Sequence, residues 1–94
     1  MTIYLVDRDL PRIEPNGLAA LAAAATAAAQ QVSLAGRPVR YIRSVFIPGE
    51  ARCLCLFEAP DEATVADVNE LAQLPFIRIV VARELTAIAA APTC

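Results

Sequence analysis

The sequence predicts an α+β fold, on three observations. Six patterned segments follow one another as strand, helix, strand, strand, helix, strand within 94 residues. The two middle strands are separated only by Pro48-Gly49-Glu50, a turn composition that makes them a hairpin. The chain is 57% hydrophobic but only 5% aromatic, which suits one modest core in a single domain over 1–94.

Each element has its own reason. In Ile3–Asp9, Ile3 and Leu5 alternate with Tyr4 and Val6, the pattern of a strand buried on both faces. Pro11, Pro15, Asn16 and Gly17 interrupt it, and Asn16 is a candidate N-cap. A helix over Leu18–Leu34 follows, with Leu21, Ala25, Ala28 and Val32 at three- and four-residue spacing, and Gly36 stops it. Val39–Ile47 and Arg52–Ala59 form the hairpin. Asp61 caps a second helix that turns Val65, Val68, Leu71 and Ala72 inward and ends at Leu74, before Pro75. Ile77–Leu85 is rich in β-branched residues and forms the last strand. The Ala-rich tail from about residue 87, which ends past Pro92, is expected to form a half-turn of helix or to be disordered.

Two strand–helix–strand crossovers around a central hairpin give the ferredoxin-like βαββαβ arrangement, with both helices on one face of a four-stranded antiparallel sheet. The other face is bare, yet its strands are apolar. That surplus predicts a homodimer that pairs the open faces as a dimeric α+β barrel.

Composition narrows the function classes. A net charge of −2 gives no electrostatic footprint for nucleic acid. Pro15–Gly36 is uncharged and long enough to cross a bilayer, but it is mostly Ala with Thr26, Gln30, Gln31 and Ser33 inside it, so a packed helix is expected and no membrane partner. Asp7, Arg8 and Asp9 in the first ten residues predict no export leader. With an odd count of three cysteines, this predicts free thiols and a cytoplasmic location.

Strand register selects the candidate site. With Ile47 opposite Ala51, Ser44 faces Leu54 and Arg40 faces Glu58. Arg40, Ser44 and Glu58, joined by Arg8, then form a candidate site for an anionic or polar ligand inside the barrel. The Arg40–Glu58 pair also reads as an ion pair stapling the strand ends. Cys53 and Cys55 share a face. Cys55 is a possible reactive thiol beside Arg43, and both also read as small core residues. No metal or cofactor is expected, since the chain has no His; Cys53 and Cys55 are the fallback ligands. No phosphate loop or catalytic triad is present, so no catalytic residue is assigned.

The segments YLVDRDL, YIRSVFIPGEARCLCLFEAPDEATV and LPFIRIVVAREL resemble a bacterial family of small ferredoxin-like proteins, a domain of unknown function that includes a nickel-binding member. The resemblance spans nearly the whole chain and is most specific at Arg43-Ser44 and at Cys55 through Asp61. It implies a dimeric α+β barrel and, for some members, metal binding. The family pattern has a His in the second helix and acidic residues where this chain has Ile77 and Val81, so Ser44, Cys55 and Glu58 carry over as matched polar positions and nickel does not. The expected function is small-ligand binding without catalysis. The alternatives are a cofactor-free isomerase or monooxygenase-like enzyme, by analogy of fold, and a metal-responsive protein, by the resemblance.

Overall fold

The computed structural model describes residues 1–10 and 15–85. In chain order it contains β1 (Thr2–Asp9), α1 (Pro15–Leu34), β2 (Arg40–Ile47), a single 3₁₀ turn (Pro48–Glu50), β3 (Arg52–Ala59), α2 (Glu62–Leu71) and β4 (Arg78–Ala82). The strands lie in the order β2-β3-β1-β4, and every neighbouring pair is antiparallel. Each crossover therefore skips one strand, and the two units interleave in the ferredoxin-like manner expected.

Alternation along the strands separates two faces. Tyr4, Val6 and Arg8 of β1 pair with Phe57, Cys55 and Cys53 of β3, and all six are buried. Leu21, Ala25, Ala28 and Ala29 of α1, with Val65 and Val68 of α2, close over them. This is the core. Its small helical residues let α1 sit close to the sheet, and the ring of Tyr41 packs against Phe57 with centroids 5.4 Å apart. The opposite face carries Ile3, Leu5 and Asp7 of β1 and Leu54, Leu56 and Glu58 of β3. Among the described residues, helices cover only the first face.

Local chemistry explains the boundaries. Asp61 Oδ1 accepts from the Thr64 backbone N–H at 2.8 Å and from its hydroxyl at 2.6 Å, the capping expected there. The first helix begins at Pro15 rather than Leu18, so Asn16 lies inside it. The first-turn N–H groups have no helical partner, so Pro and Gly are tolerated there. In α2, Leu71 is 51% exposed, and Asn69 takes the inward position instead.

The hairpin departs from the expected register in two ways. Ala51 adopts a left-handed conformation (φ 51°) and belongs to the turn, so Ile47 faces Arg52 instead of Ala51. A β-bulge then inserts Ile42 between the Tyr41–Phe57 and Arg43–Leu56 pairs. The two one-residue shifts cancel beyond the bulge, so Arg40 faces Glu58 as expected. Between bulge and turn they do not cancel. Ser44 faces Cys55, not Leu54, and lies on the helix-covered side, while Arg43 and Val45 move to the open side.

Candidate functional site

The open sheet face has an apolar middle and charged ends. Leu5 sits between Leu56 and Val80, with Ile3 and Leu54 alongside on the same face. Toward the hairpin turn, Asp7 Oδ2 accepts from Arg52 Nη2 and, at 3.3 Å, from Arg78 Nε. Asp7 is only 2% exposed although it lies on the open face, because the arginines of β3 and β4 flank it. Burial would raise its carboxyl pKa, but the hydrogen bonds and charges of Arg52 and Arg78 together outweigh burial and hold it below the usual value. Its second oxygen, Oδ1, is buried with no hydrogen-bond partner among the described residues.

At the other end of the face, Arg40 Nε and Nη2 both donate to Glu58 Oε1, at 3.4 and 3.3 Å. The pair is solvent-facing, with side chains 60% and 30% exposed. Arg43, brought to this side by the bulge, ion-pairs with Glu84 just after β4.

Arg8 and Ser44 are elsewhere. Both point to the helix-covered side, so the open face holds two of the four candidate ligand residues, Arg40 and Glu58, and not the other two. Arg8 is 1% exposed. Its Nη1 donates to the Leu74 and Pro75 carbonyls at 3.1 and 3.4 Å, and its Nη2 donates to Asn69 Oδ1 at 2.6 Å. Asn69 is fixed in turn by its own Nδ2 donating to the Val65 carbonyl at 2.8 Å. These neutral acceptors satisfy part of the guanidinium's hydrogen bonding but supply no opposite charge. Ser44 Oγ lies 2.7 Å from the Tyr41 hydroxyl and donates to Cys55 Sγ at 2.9 Å. Cys53 and Cys55 are fully buried, with sulfurs 3.7 Å apart. Burial first, and then the neighbouring Cys55, push the Cys53 thiol up to about 11, so at neutral pH it is protonated and a poor nucleophile. Burial likewise raises the Tyr41 hydroxyl.

Sequence reasoning missed the Arg52–Asp7–Arg78 group. Its signal was available: in an antiparallel ladder, an Asp in a central strand with arginines on both neighbouring strands marks a buried carboxylate. Finding it required the order of β4 beside β1. Among the described residues, no three His, Cys, Asp or Glu side chains gather as metal ligands.

A crystal structure of SCO4226 from Streptomyces coelicolor A3(2) superposes with a TM-score of 0.74 at 20% identity, covering 90% of this chain and 99% of that one. At that identity the likeness establishes the fold. No curated protein sequence matches the chain. The model of one family, described as "Nickel responsive protein SCO4226-like", matches residues 4–81, which takes in both helices, β2 and β3, and most of β1 and β4. The resemblance seen in the YLVDRDL and CLFEAPDEATV segments is thus a membership: this chain belongs to the SCO4226-like family of nickel responsive proteins.

Proposed function

We propose that this protein is a non-catalytic homodimer that closes its open sheet faces on one another and binds a small anionic or polar molecule between them. The observation that carries this reading is the composition of that face. Ile3, Leu5, Leu54, Leu56 and Val80 form an apolar strip, and guanidinium groups of Arg40, Arg52 and Arg78 border it with part of their donors facing solvent. An apolar surface with a few convergent polar groups is the usual make-up of a small-molecule site. Partly exposed arginines give it a preference for carboxylate or phosphate. Native mass spectrometry of protein purified from its own host tests the reading directly. The expected result is a dimer mass carrying a small organic adduct that is lost on denaturation. Bare monomer at ~10 μM, where an obligate interface is filled, overturns it.

The family description raises nickel, and the donors do not fit it. The sequence contains no His. Asp7, Glu58 and Glu84 each face an arginine, and the two described thiols are soft donors with no third His, Cys, Asp or Glu beside them among the described residues. A nickel(II) ion would have to displace guanidinium groups and would find no imidazole. In this reading, any part the chain plays in a nickel response does not involve holding the ion. Calorimetry with nickel(II) is expected to show no site tighter than ~1 μM; a stoichiometric isotherm below that value contradicts it.

A further inference from the structure

We propose that Cys53 and Cys55 form a binding site for a soft monovalent cation, copper(I) or silver(I), with Arg8 as its buried counter-charge. Three observations lead there. The first is geometric. The two sulfurs share one face of β3 and lie 3.7 Å apart. Metal–sulfur bonds of about 2.3 Å span that distance at an angle of about 107°, and moving each sulfur outward by about 0.5 Å opens the angle toward linear. Soft d¹⁰ cations accept two thiolates in such open arrangements, and thiolates select them over harder ions.

The second observation is charge. Arg8 is fully buried, lies directly opposite Cys53 in the β1–β3 ladder, and has no carboxylate partner among the described residues. A buried cation without an anion is costly. Two thiolates and one monovalent cation carry a net charge of −1, which the guanidinium balances. A divalent ion would give a neutral complex and leave Arg8 uncompensated. It would also need further ligands, and no third His, Cys, Asp or Glu joins the pair among the described residues.

The third observation is a donor already in place. The Ser44 hydroxyl donates to Cys55 Sγ. It can hold a metal-bound thiolate in the same way, as outer groups around thiolate sites do. The entry side is β2, an edge strand, where Tyr41 and Ser44 are half-buried next to the bulge at Ile42. On binding, two S–H bonds break and two metal–sulfur bonds form. Both protons pass to solvent, and no electron is transferred.

The test is anaerobic competition for copper(I) against a chromogenic chelator, in a Cys94→Ser background so that only the two core thiols are counted. One copper(I) per chain is expected to leave the chelator, and nickel(II) in excess should not displace it. Cys53→Ala with Cys55→Ala should abolish the transfer, with circular dichroism confirming the fold. Arg8→Met should weaken copper(I) about 10- to 100-fold. Should Arg8→Met fail to fold, Arg8→Lys supplies the second readout: it keeps the positive charge and is expected to bind copper(I) within about 10-fold of the parent, and loss of copper(I) from a folded Arg8→Lys protein overturns the charge balance. Copper(I) remaining with the chelator overturns the site, as does equal binding by the double alanine variant. Unchanged affinity in a folded Arg8→Met protein overturns the charge balance on which the site rests.

Discussion

Asp7 shows how one residue can be both central and hard to anticipate. Its carboxyl lies below the ordinary value of 3.8 because two arginines outweigh its burial. A depressed folded-state pKa favours the ionised form in the fold. The resulting stability is fully present above the unfolded value and is lost as pH falls through the lower folded one. Denaturant midpoints of the parent should therefore drop with acidification below about pH 4. Asp7→Asn should be less stable than the parent at pH 7, with the gap narrowing in acid; a gap constant from neutral to strongly acidic pH would show that the ion pairs are not its source. Glu58 is the contrasting case. Its partner Arg40 is well exposed, so the pair contributes only ~0–1 kcal/mol. Glu58→Gln should barely move the melting temperature while changing the affinity for whatever co-purifies. A large thermal loss with unchanged binding would make the pair a staple and nothing more. The Arg40–Glu58 pairing was legible in the sequence, whereas the placement of Arg8 and Ser44 was not. Alternation sets Arg8 on the face of Tyr4 and Val6, but only the acceptors from Leu74, Pro75 and Asn69 let a charge stay there, and no local pattern announces those.

Among the elements, helix and strand identities followed from periodicity, turn residues and the Asp61 cap, because each depends on neighbours in the chain. The hairpin register did not, since it hinges on two single residues. Ala51 enters the turn by adopting φ 51°, a conformation that costs an L-residue with a Cβ about 1–2 kcal/mol, and Ala carries no sequence mark of it. The bulge at Ile42 is equally silent, because Ile is an ordinary strand residue. A bulge flips every side chain between itself and the turn, and this one moves Ser44 from the proposed ligand face to the thiols. Ala51→Gly removes the steric cost at the turn and adds roughly 0.4–1 kcal/mol of unfolded-chain entropy, leaving a small net gain. Its melting temperature is expected to rise by a few degrees. A clear fall on differential scanning would mean that the left-handed turn is not the conformation populated in solution.

For the whole molecule, the decisive fact is the asymmetry between the faces of the sheet. Tyr4, Val6, Cys53, Cys55 and Phe57 are sealed by α1 and α2. On the other face, Leu5, Leu54, Leu56 and Val80 have, among the described residues, each other and the flanking ion pairs, which leave them half-buried. A 94-residue chain cannot hide both faces with two helices. In the dimer proposed above, a second copy would cover the remaining one, because a two-fold axis would set the same strip against itself and keep the arginines at the rim, where their charge stays hydrated. Leu56 lies in the middle of that strip, between Leu5 on β1 and Arg43 on β2. Leu56→Arg places a charge at the centre of the proposed interface while leaving the helix-covered core untouched. Light scattering after size exclusion at ~10 μM should give a dimer for the parent and a folded monomer for the variant. The monomer should also lose any co-purifying small molecule, because the site needs both faces. A dimer that persists unchanged in Leu56→Arg would move the contact off the open face and take the enclosed ligand site with it.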